Sequence, residues 1–514
     1  MTARKKPPAS APSAPVRADL QAVWRVRQGA LDRARPEATA KRHAREQMTA
    51  RESLAAFLDA GSFVEYGRVS KPVREDMAGA ADGVVMGHGL ADGRPVAVMA
   101  YDYTVHAGTQ SFTNHRKTDR IYALAEAQRW PMVSWLEGGG ARPHDMIAST
   151  RGDTRTFVNF ARLSGLVPTI GIVAGRCFAG NANLAGMCDI LIATERAVIG
   201  MAGPALVQQA LGYTPTPEEI GPVDVHVRAG AVDILCKDDA EAAAMARRVL
   251  GYFQGAAEPG RAPDVAKLRD IVPEDPMQAY NVRRVLDHLF DIGSVQELRP
   301  KFGGAALTAF ARLEGIPVGV IASQPTFLGG AIDSPTSDKI ARFIQLCDAH
   351  DIPVVILCDT PGLMVGPEVE TTGLVRHSAR ILVALANATV PCLTVVMRKA
   401  YGLGYYVMGS QALDPALLVA WPTAEFGGMG LEGAARIIWK NNFEAIEDEA
   451  ARDAAIREKT AWLMEQNTAL EVGGRFEYDD VIDPADTRDI LTKTLRALPA
   501  PPPRAGRKRT VDAW

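Results

Sequence analysis

The chain has 514 residues, with 57 basic and 60 acidic side chains and a net charge of −3. That length exceeds one ordinary core, so two domains are expected, and the near-balanced charge points to neither nucleic acid nor an anionic membrane as partner. Hydrophobic residues make up 47% and charged residues 23%, as in a soluble globular protein, and no apolar run approaches the ~20 residues of a membrane span.

In chain order, residues 1–18 are rich in Pro, Ala and Ser and read as a disordered segment. Residues 19–60 read as helix, with Thr49 as the cap of its last part. No hydrophobic secretion signal precedes them. From there apolar strands alternate with amphipathic helices to about residue 495. Examples are RPVAVMAYDYTV, WPMVSWLEGGG, LVPTIGIVAG, DIPVVILCDTPG and VPCLTVVMRKA. Such alternation predicts an α/β fold. The Pro- and charge-rich segment 255–278 reads as a linker. The division expected is a first domain over 19–270, a second over 271–496 and a Pro-rich basic tail over 497–514. The tail, including Trp514, is read as solvated rather than docked. The six cysteines at 177, 188, 236, 347, 358 and 392 form no C-x-x-C pair. Neither a zinc site nor a disulfide framework is indicated, and a cytoplasmic protein is expected.

The two halves repeat each other. VPTIGIVAGRCFAGNANLAG begins at Val167 and VPCLTVVMRKAYGLGYYVMG at Val390. In that register Pro168 falls on Pro391, Phe178 on Tyr401 and Gly186 on Gly409. Upstream, MVSWLEGGG parallels VVILCDTPG, placing Glu137 on Asp359 and Gly140 on Gly362. Downstream, LIATERAVIGM parallels LLVAWPTAEFGG. Three matched segments in one order indicate an internal duplication.

Each copy offers two glycine-rich strand ends. In the first they are Gly138-Gly139-Gly140 and Ala179-Gly180-Asn181; in the second, Pro361-Gly362 and Gly402-Leu403-Gly404. Glycine permits close approach to the backbone, and backbone N–H groups backed by a helix start stabilise a developing oxyanion. No G-x-S-x-G elbow, Walker loop or Rossmann fingerprint is present. No H-x-x-x-H pair occurs, and His377 reads as structural. Glu137 and Asp359 are candidate general bases, with turn capping the competing role. Oxyanion stabilisers without an evident base suit a substrate or cofactor that brings its own base.

MTARESLAAFLDAGSFVEYG, GGGARP, PTSDKIARFIQLCDAHDIPVVILCDTPGLMVG, ETTGLVRHSARIL, VPCLTVVMRKAYG and WPTAEFGGMGLEGA resemble the beta, carboxyltransferase, subunits of acyl-CoA carboxylases, propionyl-CoA carboxylase among them. The resemblance runs from about residue 40 to 495. It implies two tandem crotonase-like domains. It also implies transfer of a carboxyl group from carboxybiotin, carried on a separate carrier protein, to the α-carbon of an acyl-CoA. The partner would be a biotin carboxylase/biotin carboxyl carrier subunit, and the assembly a hexamer built as a trimer of dimers. Carried over, Ala179, Gly180 and Asn181 hold the thioester oxygen, and Leu403 and Gly404 the biotin ureido oxygen. Gly139, Gly140, Ala141, Arg142 and Tyr406 would line the coenzyme A substrate, and Pro361, Gly362 and Gly402 the biotin. No metal is implied. The family usually reads Gly-Gly-Ala at both holes, and an aromatic where this chain has His106. The same resemblance extends to biotin-dependent decarboxylase alpha subunits, and the altered holes leave a non-catalytic assembly homologue as a further alternative. No A-M-K-M biotin site or ATP-grasp signature is present, so the chain is not expected to carboxylate biotin itself.

Overall fold

The eight-residue runs Val84–Ala91 and Ala306–Leu313 are buried almost throughout, and each pairs antiparallel with the run that follows it. A computed structural model describes residues 16–74, 76–146, 154–499 and 509–514. Two sheets hold these runs. The first takes β1 (Val64–Tyr66), β2 (Val84–Ala91), β3 (Arg94–Tyr101), β4 (Met132–Trp135) and β5 (Thr169–Val173), then β7 (Ile190–Thr194) and β9 (Ile234–Cys236). The short strands β6 (Arg176–Phe178) and β8 (Val198–Gly200) pair beside it. The second takes β10 (Gln296–Leu298), β11 (Ala306–Leu313), β12 (Ile316–Ser323), β13 (Val354–Thr360), β14 (Cys392–Tyr401), β15 (Leu417–Ala420) and β17 (Asp480–Val481). Strand β16 (Glu425–Gly427) pairs the end of β14. In both sheets the first three strands are antiparallel and the rest parallel. The parallel strands β4, β5, β7 and β13 are buried at every residue, as strands covered on both faces must be.

The duplication is visible atom by atom. β2 and β11 start 222 residues apart (306 − 84), as do β3 and β12. At the same spacing Lys117 and Lys339 are both buried, and each ammonium caps carbonyls of the turn before its sheet's long hairpin. Lys117 donates to Ala81 and Val84, and Lys339 to Phe302 and Ala306. Burial pulls both down from the usual lysine value to about 8.

Residues 19–60 break into three helices, Ala18–Gly29, Pro36–His43 and Ala50–Phe57; the last is capped by Thr49 in a capping box with Glu52. Most of the disordered segment expected at the N-terminus, residues 1–15, lies outside the described residues.

Two readings of the connecting regions need correction. Segment 255–278 is not a free linker: Leu268, Ile271 and Val272 are buried in the core of the second sheet. The halves also share one apolar cluster, in which Leu54, Val98 and Trp135 are continuous with Phe310, Ile340 and Phe343. Tyr252, ending the helix Asp239–Tyr252, stacks on Phe310 at 5.3 Å. Arg342 of the second half donates to the carbonyls of Cys188 (3.1 Å) and Asp189 (2.8 Å) in the first. The end of the tail is docked, not solvated. Val511 N–H donates to Ser164 Oγ at 2.9 Å, Arg380 pairs with Asp512 at 2.6 Å, and Trp514 Nε1 donates to Asp338 at 3.1 Å. Composition concealed this because a few contacts of particular residues, polar ones together with Val511 on the shared apolar cluster and Trp514 on Phe302, hold the end down, not an apolar run. Residues 500–508 of the tail lie outside the described residues.

Candidate active site

Each half builds a cleft from the same two arms. The first arm leaves the central strand. After β4, Gly138–Gly140 turns with Gly140 at φ +80°, and after β13, Pro361-Gly362 turns with Gly362 at φ +128°. The second arm opens a short helix, Gly180–Gly186 in the first half and Gly402–Val407 in the second. The residue that turns the chain into it has φ +52° in both, Ala179 and Gly402. Glycine accepts that conformation freely. Ala179, with ψ −121°, does so only under strain of roughly 1–3 kcal/mol.

The arms touch. A side chain on Gly140 would meet Ala179 Cβ at 2.6 Å, and one on Gly404 would meet Gly362 Cα at 2.5 Å. The first arm is stitched to the loop that precedes the long helix after its sheet's hairpin, Phe112–Gln128 in the first half and Ser334–Ala349 in the second. Gln110 N–H donates to Gly140 O (2.6 Å) and Arg142 N–H to Gln110 O (2.7 Å); Ile332 N–H donates to Gly362 O (3.0 Å) and Met364 N–H to Ile332 O (2.9 Å).

These bonds decide which backbone donors remain for a ligand. In the first half Gly138, Gly139, Gly140 and Arg142 all spend their N–H groups internally. The N–H of Ala141 finds no acceptor among the described residues, and neither do those of Gly180 and Asn181, which open the helix. The same accounting in the second half leaves Leu363, Leu403 and Gly404. Leu363 is the residue that sequence reading missed. It stands 222 residues after Ala141, so the repeat spacing applied to Ala141 would have found it.

Side chains divide differently. Leu403 is 59% and Tyr406 46% exposed, so both face solvent on the helix of the second arm, whereas Tyr405 turns inward edge-on to Phe426. Gly139 and Ala141 are exposed, Gly402 and Pro361 partly so, and Gly140, Gly362 and Gly404 are buried where the arms meet. Arg142 is turned away from the cleft. Its buried guanidinium pairs with Asp82 at 2.6 Å and lies 3.5 Å from Asp145. Asn181 is fully buried and its carboxamide faces the first arm. Glu137 and Asp359, the carboxylates at matched positions, are buried ion pairs. Glu137 meets Arg42 at 2.8 Å, and Asp359 meets Arg398 at 3.0 Å while accepting from Lys399 N–H. Burial holds the Glu137 carboxyl above its usual range, opposed by Arg42. His377 pairs with Asp338 at 2.8 Å and His106 bonds the Ala78 carbonyl at 2.7 Å. The clefts therefore present backbone donors, with the candidate bases folded away beneath them.

The carboxyl transferase domain family matches residues 41–509. The chain belongs to this family. It is 34% identical to the propionyl-CoA carboxylase beta chain of Saccharopolyspora erythraea over 96% of this chain and 95% of that one. The transcarboxylase 12S crystal structure, a hexamer assembly with methylmalonyl-coenzyme A and methylmalonic acid bound, superposes with TM-score 0.86 at 33% identity, over 96% of this chain and 97% of that one. A single-chain, multi-domain long-chain acyl-CoA carboxylase superposes with TM-score 0.87 at 43% identity over 93% of this chain; the chain spans about half, 49%, of that enzyme's length. The protein is thus a carboxyltransferase with two tandem crotonase-like α/β halves. No helix among its described residues is long and apolar enough to cross a membrane.

Proposed function

We propose that this carboxyltransferase moves a carboxyl group from carboxybiotin, held on a separate carrier subunit, to the α-carbon of a short acyl-CoA. The observation that carries the reading is the pair of matched clefts, each of which presents backbone donors left without an acceptor among the described residues. The second cleft fits a ureido group: Leu363, Leu403 and Gly404 offer N–H groups, and Gly362 and Gly402 put no side chain in the way. Biotin, when bound there, would supply both the carboxyl group and the base that removes the α-proton. Leu403 and Gly404 N–H groups hold its ureido oxygen as negative charge grows on it, beside Pro361, Gly362 and Gly402. Gly180 and Asn181 N–H groups, with Ala141, hold the thioester oxygen in the same way. Each such donor lowers the barrier by about 3 kcal/mol. Gly139, Gly140 and Ala141 form the wall along the acyl-CoA, and Arg142 supports that wall from behind. We assign the acyl-CoA side to residues 19–270 and the biotin side to 271–496. The six free cysteines, five of them buried, suit a reducing, cytoplasmic setting.

Neither half holds both oxygens, so the working site needs a first half and a second half brought face to face. Apolar side chains stand exposed on both halves, Met201 and Leu211 on the first, Val365, Val375, Leu403 and Ile437 on the second. A surface of this kind marks an interface, and a two-fold contact would cover both. At micromolar concentration sedimentation should show a hexamer, a trimer of dimers; a monomer there would sink the shared-site reading.

Substrate range tests the rest. Tyr406, exposed and two residues after Gly404, would bring a ring with a polar tip to the acyl end of the site. Each added methylene needs room and burial worth about 0.8 kcal/mol. With biotin-loaded partner, the enzyme should carboxylate acetyl- or propionyl-CoA in preference to octanoyl-CoA, and Tyr406→Ala should shift kcat/KM toward the longer chains by roughly 10-fold, the scale of one or two methylenes. A wild type that prefers octanoyl-CoA, or an unchanged profile in the variant, would overturn the short-chain assignment. Absence of transfer to any acyl-CoA would overturn the function itself.

A further inference from the structure

The two copies differ at a buried position between the arms of the cleft. Residue 404 is glycine, and the second arm rests directly on the first, with Gly404 against Gly362. The matched residue 181 is asparagine, fully buried. Its Oδ1 accepts from Gly140 N–H at 3.0 Å, and its Nδ2 donates to Glu137 O at 3.3 Å. A side chain on Gly138 would collide with this carboxamide. The two arms of the first cleft are therefore spaced and tied by a side chain, where those of the second are spaced by backbone contact.

We infer that the Asn181 side chain is a positioning residue that sets the first cleft for the thioester oxygen. Resting on the function proposed above, it adds a role that the backbone donors alone do not have. The tie satisfies a buried donor and a buried acceptor of the loop, which would otherwise be left without partners. It also uses up the Gly140 N–H, so the donor presented on this arm is Ala141 N–H, one residue on. The loop thereby stays in register with the Gly180 and Asn181 N–H groups of the helix. The same tie opposes release of the strained backbone at Ala179, which adjoins Gly140. A donor displaced by an ångström costs on the order of 10²-fold in rate. The second cleft, with no such side chain, is indifferent to the substitution.

The test has a readout apart from turnover. In the wild-type protein, amide hydrogen exchange should be slow at Gly140 and fast at Ala141. In Asn181→Ala, Gly140 exchange should rise toward that of Ala141. With biotin-loaded partner, kcat for acyl-CoA should fall by about 10- to 100-fold while KM stays within about threefold. Release of carboxyl from carboxybiotin without acyl-CoA, which reads the second cleft, should hold its wild-type rate. Equal exchange at Gly140 and Ala141 in the wild type would overturn the tie, whether or not the variant folds. A variant kcat within twofold of wild type would overturn the positioning role. A wild type that exchanges as expected but transfers no carboxyl group would instead overturn the function proposed above, and the catalytic part of this inference with it.

Discussion

Replacing Gly404 by alanine should lower kcat by about 10²-fold or more, measured with acyl-CoA and biotin-loaded partner. The new Cβ would lie 2.5 Å from Gly362 Cα and 2.9 Å from Gly362 C, both backbone atoms. No rotamer relieves that contact, so the helix Gly402–Val407 must move off the first arm and take the Leu403 and Gly404 N–H groups with it. Valine should do the same more severely. Gly180 makes a useful contrast. A Cβ there meets the end of the Gln110 side chain and the Phe157 ring, which can give way. Gly180→Ala should therefore cost less than Gly404→Ala, although the two glycines sit beside equivalent donors. Equal and near wild-type turnover in both variants would remove the arm contact from the mechanism.

Asp359→Ala should destabilise the protein by about 3–5 kcal/mol, the usual result of leaving one member of a buried ion pair behind. Arg398 is 2% exposed and would keep only the Gln278 carbonyl, at 2.8 Å, and the Tyr280 ring beneath its guanidinium. Lys399 N–H would also lose its acceptor. The double variant Asp359→Leu, Arg398→Met removes both charges and should recover most of the loss. Urea unfolding of the three proteins decides the matter. A single variant as stable as wild type would show that the pair is dispensable, and catalytic loss without destabilisation would return Asp359 to the list of candidate bases.

Period and order within the chain carried the fold. Alternating strand and helix runs, repeated at a spacing near 222 residues with matched prolines and glycines, announced two copies of one α/β unit, because the duplicated strands retain the apolar pattern their burial demands. Glycine at strand ends marked both arms of each cleft, since residues such as Gly362 and Gly402 have φ values that other side chains resist. Thr49 announced its helix cap, and the local bond pattern it forms there includes Glu52.

Everything that depends on a partner distant in the chain was left to the tertiary structure. Glu137 and Asp359 looked alike as candidate bases; only their pairing with Arg42 and Arg398 shows them to be buried ion pairs. Arg142, a candidate for contact with substrate, is claimed by Asp82, 60 residues away in the chain. Which amides stay free is likewise a matter of which carbonyls arrive nearby, so Leu363 joins the site and Gly139 and Gly140 become its wall. Asn181 reads from sequence as one more backbone donor, yet its side chain ties two arms from different parts of the chain. The segment 255–278 reads as a linker and the tail as solvated because they are rich in proline and charge. They are held down by the few residues, Leu268, Ile271 and Trp514 among them, whose partners the sequence does not name. Local conformational preference is written residue by residue, whereas the pairing of buried polar groups exists only once the chain has closed on itself.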